Sequence, residues 1–206
     1  MSKRDFISGS IFEIQLPFGF GFAYCKVVDF RYIRTFDGVL AKVFDFIVNE
    51  PVKDITILSE HDWLFGARRM SGLPGTRGSG SWKSKGVLIG KDDNVIPDFK
   101  YSVKDSPTEN DESKLGPWKV IRNLNQSNDN FVPYESVKHL EDTVVNSMRG
   151  IETRAAMEHC RINNLVVKDF FDLSIPRYGN IYRQMINVPI YKTIPKEIRG
   201  KALVSI

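Results

Sequence analysis

Residues 10–30 alternate with period two. Ile11, Glu13 and Gln15 fall on one side of the run, and Phe12, Ile14 and Leu16 on the other. Beyond Pro17-Phe18-Gly19, Phe22, Tyr24, Lys26 and Val28 alternate with Ala23, Cys25, Val27 and Asp29. Side chains of a strand point to opposite faces in turn, so the run predicts a β-hairpin: strand 10–16, turn 17–19, strand 20–30. Only Phe12, Ile14 and Leu16 form a wholly apolar side. One face is therefore expected to be buried and the other partly wet. Pro17 removes a backbone donor, and Gly19 and Gly21 permit a tight or bulged return.

The strand pattern continues. Residues 39–48, VLAKVFDFIV, are β-branched and aromatic and predict a third strand, entered through an Asp37-Gly38 turn. The short run 54–58, DITIL, predicts a fourth. Residues 67–86 carry Arg68, Arg69, Arg77, Lys83 and Lys85 with five glycines, one proline and no acid, which reads as a basic loop. Strands return at 87–90, 98–103 and 118–124. Residues 104–114, KDSPTENDESK, read as a polar surface loop.

A helical period replaces the alternation over 135–165. Val137, Leu140, Val144, Met148, Ile151, Ala155 and Ile162 share one face, Ser136 is a candidate N-cap and Asn163-Asn164 a candidate end. Gly150 marks a kink or a break. Residues 166–173 read as strand or loop, 180–188 as a further strand, and 190–206 as a basic surface arm.

Short sequential strands followed by one long helix predict the α+β class. The expected form is a curled, mostly antiparallel β-sheet, as in an SH3-like partial barrel, with the long C-terminal-half helix packed on it. A chain of 206 residues can bury its own core as a single domain, 1–206, β-rich over 1–130 and holding helix, final strand and tail over 131–206. Two cysteines, Cys25 and Cys160, argue against a disulfide scaffold. The opening MSKRDFISGS has no apolar stretch of signal-peptide length, and no run approaches a membrane span, so a cytoplasmic protein is expected. The net charge of +4 is mild and evenly spread, and does not by itself call for nucleic acid.

Catalytic chemistry finds little support. His61, His139 and His159 lack metal-ligand spacing, and no C-x-x-C or H-E-x-x-H occurs. Cys25 could serve as a nucleophile only beside a base, and reads more simply as a buried strand residue. Gly75-Thr76-Arg77-Gly78-Ser79-Gly80 could cradle a phosphate, but strand rather than helix follows it. No catalytic residue, cofactor or metal is therefore assigned. A protein-binding module is the better reading. Its alternative is a nucleic-acid or nucleotide-binding domain using the basic loop 67–86, with Trp82 and Tyr191 as stacking groups.

The opening Ser10-Ile11-Phe12-Glu13-Ile14-Gln15-Leu16, followed by Gly21-Phe22-Ala23-Tyr24-Cys25-Lys26-Val27-Val28, resembles the immunity protein 26 family. Members tend to begin with a G-D-I-F-x-I-P-L strand followed by Y-A-Y-G-R-V. Here Gly9-Ser10 stands for the Gly-Asp, and Gln15 for the proline. The likeness runs more loosely through Trp63-Leu64-Phe65-Gly66, Leu73-Pro74-Gly75, Gly80-Ser81-Trp82-Lys83 and Val87-Leu88-Ile89-Gly90, over roughly the first 125 residues. The resemblance implies a cytoplasmic protein that neutralises a cognate bacterial toxin domain by tight binding, without catalysis or cofactor. The partner surface is sought in Arg68, Arg69, Arg77, Trp82, Lys83 and Lys85, because interface anchors favour Trp and Arg. Asp111 and Glu112, in the acidic stretch 105–112, are the candidates for meeting a basic toxin surface.

Overall fold

The computed structural model describes residues 7–34, 38–75, 78–103, 110–124, 126–127 and 130–203. The alternating run folds as its pattern requires. β1 (Ser10–Gln15) and β2 (Phe22–Asp29) form an antiparallel hairpin in which Phe12 faces Cys25 and Ile14 faces Ala23. β3 (Val39–Val48) pairs with β2, and β4 (Arg68–Met70) with β3. The chain then turns through β5 (Gly78–Ser79) into β6 (Trp82–Val87), which pairs with the other side of β1. The resulting order is β4-β3-β2-β1-β6-β5, with every neighbouring pair antiparallel. At Gly21 a Cβ would lie 2.3 Å from the Val48 carbonyl oxygen, and φ is +95°, so only glycine lets β2 start this close to β3.

A second sheet, ordered β7-β8-β9, is formed by β7 (Phe99–Ser102), β8 (Trp118–Arg122) and β9 (Gln126–Ser127). Two parallel bridges join the sheets: Asp142 pairs with Lys100 of β7, and Asn146 with Met70 of β4.

Both faces of the large sheet are covered. On one, Phe12, Ile14, Ala23, Cys25, Val27, Ala41 and Trp82 pack against α1 (Met148–Ile162) and α2 (Pro176–Ile186) through Ile151, Ala155, Cys160, Ile181 and Met185. On the other, Ile11, Tyr24 and Phe44 pack on Leu58, while Val28 and Leu40 pack on Phe99 of the second sheet. The expectation of a partly wet second face is thus corrected. Glu13, Tyr24 and Lys26 are buried there, because residues 55–60 and β7 roof it. Glu13 is satisfied locally, accepting from the Tyr24 hydroxyl at 3.1 Å and pairing with Lys85 at 3.1 Å.

The helical reading needs shortening. Only Met148–Ile162 is α-helix; its N-cap is Ser147, which accepts from the Gly150 amide at 3.2 Å. Gly150 therefore lies in the first turn and breaks nothing. Val137 and Leu140 share the helical spacing but serve another core, with Trp118 and Val120. The stretch between them and α1 is extended, because Asn146 bonds the backbone of Arg69 in β4 and of Ser71 just beyond it. Residues 54–58 are not a strand but the cap and start of a 3-10 turn, Ile55–Glu60, in which the Asp54 carboxylate accepts from the Thr56 amide. The strand expected over 180–188 is α2: Pro176 starts the helix, and Ile181 and Met185, four apart, face the core. Residues 67–86 are not one loop: β4, β5 and β6 run through them. The fold class stands as α+β, a mostly antiparallel sheet packed against helices. Among the described residues no helix is long and apolar enough to cross a membrane.

Candidate functional site

The roofed face of the large sheet does not close completely. A cleft of about 710 Å³ remains between β2 and β3, the segments around residues 58–67 and 88–98, and the C-terminal stretch 191–201. Its floor carries Lys26 and Lys42, which are direct cross-strand partners and only 4 % and 6 % exposed. Lys26 pairs with Asp93 at 2.6 Å, and Asp93 also accepts from the Gly90 amide at 2.9 Å. The Lys42 ammonium lies 5.6 Å from the centre of the Trp63 ring, which leans on Phe44 at 4.6 Å.

The C-terminal stretch forms one wall, so the tail is not a free arm. Arg199 bonds the Asp62 carboxylate at 2.5 Å, the Ile194 carbonyl at 2.8 Å, and covers the Tyr191 ring at 4.8 Å. His139 Nε2 lies 2.7 Å from the Lys201 carbonyl, and the Ala202 amide donates to Asp98 at 2.9 Å.

A second feature stands at the tip of the β1–β2 hairpin. Phe18 has φ of +61°, a conformation that bulky side chains rarely adopt, and is 54 % exposed. Its ring is held by Phe20, Phe170 and Phe171 at centroid distances of 5.7, 5.6 and 5.0 Å. The chain entering Phe170 leaves Leu165 and Val166 exposed, and the chain leaving Phe171 leaves Ile175 exposed. His159 packs on Phe20 at 5.0 Å, and its burial holds the imidazole below the ordinary histidine range.

The residues singled out from the sequence are scattered. Arg68 is buried, bonding Glu141 at 2.5 Å, Asp142 at 3.1 Å and Gln184 at 2.8 Å. Arg69 is buried and donates to the Thr143 carbonyl at 3.0 Å. Trp82 is a core residue 5.9 Å from Phe12, not a surface anchor. Glu112 is buried against Lys100 at 2.5 Å, so it offers no charge to a partner. These four corrections have one cause. Strands β4 and β6 and the buried Lys100 claim groups that the composition of a basic loop and an acidic loop placed at the surface. Lys83 and Asp111 are exposed and Lys85 is half-buried, and they form no common patch: Lys83 and Lys85 lie on β6, while Asp111 caps the turn Glu112–Lys114. Arg77 lies outside the described residues, as do Thr76 of the glycine-rich motif and Asp37 of the expected turn. The nucleic-acid alternative thus loses the two arginines that opened its basic loop.

Cys25 is sealed in the core beneath the helices, and burial pushes its thiol well above the usual range. Among the described residues no group of His, Cys, Asp and Glu is arranged to hold a metal ion. Lys26 and Lys42 were missed, although each is a lone cation inside a run of apolar strand residues. That is the signal by which they could have been found. Phe18 was hidden because a turn residue carries no periodicity. Comparison with family models, with curated proteins and with solved structures returns no match to this chain.

Proposed function

We propose that this chain is a toxin-neutralising immunity protein that acts in the cytoplasm by direct, stoichiometric binding of a cognate toxin domain, without catalysis. The observation that carries the reading is Phe18. It sits between the two strands whose residues resemble the immunity protein 26 family, exposed, in a costly backbone conformation, and braced by three further rings. Backbone strain of this kind, roughly 1–3 kcal/mol, persists where the surroundings over-determine it, and it gathers at binding sites. An aromatic group fixed before binding loses little entropy on docking, which favours tight association. The partner surface of this reading is the hairpin tip with Leu165, Val166 and Ile175, in place of the basic loop.

The test is co-expression with the product of the neighbouring gene, followed by purification in moderate salt. A one-to-one complex that suppresses toxicity in cells is the expected result. Phe18→Gly relieves the backbone while deleting the ring, so its melting temperature should not fall. Its affinity should drop ~30-fold, the equivalent of the roughly 2 kcal/mol that marks an interface hot spot. Recovery of nucleic acid alone, lost between about 50 and 200 mM salt, would instead favour a phosphate-driven binder. A complex indifferent to Phe18→Gly would remove the hairpin tip from the interface.

A further inference from the structure

The cleft lies on the opposite face of the sheet from α1 and plays no part in the reading above. Its charges are balanced: the lining holds as many carboxylates as lysine and arginine side chains. On the floor Lys26 pairs with Asp93, and on the wall Arg199 pairs with Asp62. Glu141 and Asp98 are held by arginines outside the lining, Glu141 by Arg68 and Arg154, and Asp98 by Arg122. Glu60, Lys196 and Lys201 are exposed, offer both signs of charge, and make no ion pair among the described residues. An ion of either sign would enter this space with its charge uncompensated.

The paired groups keep hydrogen-bonding capacity. Asp62 accepts from Arg199 and from the Trp63 amide, and Asp93 from Lys26 and the Gly90 amide. Each of these carboxylate oxygens holds one donor and has a lone pair to spare. Arg199 donates to Asp62 and to the Ile194 and Lys192 carbonyls, and its guanidinium carries further N–H groups. The Trp63 indole N–H and the His61 imidazole make no hydrogen bond among the described residues. Both rings are half-buried in the lining, as is Tyr191. Arg199 ties the three together: it bonds Asp62, which stands between His61 and Trp63 in the chain, and covers the Tyr191 ring at 4.8 Å.

These groups select a ligand class. An apolar molecule would strip water from the ion pairs and return no hydrogen bond. A hydroxyl both donates and accepts, so a neutral molecule rich in hydroxyls satisfies carboxylates and cations alike. Its ring C–H groups at the same time suit an aromatic wall. We propose that this cleft is a binding site for a neutral saccharide, a mono- or disaccharide whose hydroxyls bond Asp62, Asp93 and Arg199 and whose ring packs against Trp63. The volume of about 710 Å³ lies within the range of about 300–1,000 Å³ that small-molecule sites occupy. The C-terminal wall, carrying Tyr191 and Arg199, encloses the sugar.

The experiment is a titration of the full chain with glucose, N-acetylglucosamine, maltose and cellobiose, followed by calorimetry and by tryptophan fluorescence. Glucuronate and glucosamine serve as anionic and cationic counterparts of glucose. Trp82 and Trp118 are buried in separate cores, so a change of emission reports Trp63. Saturable binding of at least one neutral sugar with Kd below about 1 mM is expected, with both charged counterparts weaker than glucose. Trp63→Leu, checked for an unchanged fold by its circular dichroism, should weaken binding about tenfold through the lost ring contact. Hydrogen exchange on the unaltered protein gives a check that needs no variant: the bound sugar should protect residues 88–98 and 191–201. Absence of saturable binding by the neutral sugars, tighter binding of a charged counterpart than of glucose, undiminished binding to a folded Trp63→Leu protein, or protection confined to other segments overturns the proposal.

Discussion

Single side chains in this protein separate into those that fill space and those that balance buried charge, and the two respond differently to substitution. Trp82 belongs to the first kind. Trp82→Ala should cost about 3–5 kcal/mol by chemical denaturation, because the ring fills the core between β1 and the helices. Glu112 belongs to the second. Its carboxyl is pushed up by burial and held by Lys100, which is itself buried between the Trp118 and Tyr134 rings. Glu112→Ala strands that ammonium and should cost about 3–5 kcal/mol, whereas adding Lys100→Met should recover most of the loss. His159 gives a dependence on pH. Its folded pKa lies below the ordinary value of about 6.5, so the unfolded chain takes up the proton first. Stability from this group is present above that value and is lost as pH falls beneath it. Unfolding midpoints measured from pH 7 downward should decline, and His159→Phe should flatten the slope. None of this was legible in the composition. A lysine, a glutamate and an arginine read as surface groups until their neighbours are known.

Elements were legible where their periodicity was carried by burial on the element itself. β1, β2 and β3 alternate or run apolar because a sheet face lies against each side, and the sequence pattern records that directly. The central helix was overextended because Val137 and Leu140 match the helical step by coincidence, while their actual partners, Trp118 and Val120, come from β8. α2 reads as a strand from the sequence because its eleven residues hold only Ile181 and Met185 as buried anchors, too few to fix a period. The strongest local signal for where α1 begins was Ser147 rather than Ser136. Ser147→Ala should therefore lower stability by about 1 kcal/mol, read from the denaturation midpoint, and Ser136→Ala by much less. Gly21→Ala meets both a positive φ and the Val48 carbonyl, so it should loosen the start of β2, visible as faster amide exchange at Phe22 and Ala23.

At the scale of the whole molecule, sites arise where distant segments meet, and a sequence pattern is blind to such meetings. The cleft needs β2, β3, the stretch around Trp63, residues 88–98 and the C-terminal wall together. Its two lysines were visible in the sequence, but their being neighbours was not. The same logic governs the tail. Deleting residues 190–206 should leave the large sheet intact and open the cleft, so that Trp63 becomes accessible to a neutral quencher such as acrylamide.

The return of β6 to β1 has a consequence for how the protein is made. β1 and β2 can pair as soon as the hairpin emerges from the ribosome, but the outer edge of β1 waits for residues 82–87. During that interval an apolar strand edge stands open while some fifty residues of β3, turn and β4 are added, and open edges recruit other chains. A chain stopped before Trp82 should accordingly partition into the insoluble fraction on expression, since it lacks the strand that closes this edge.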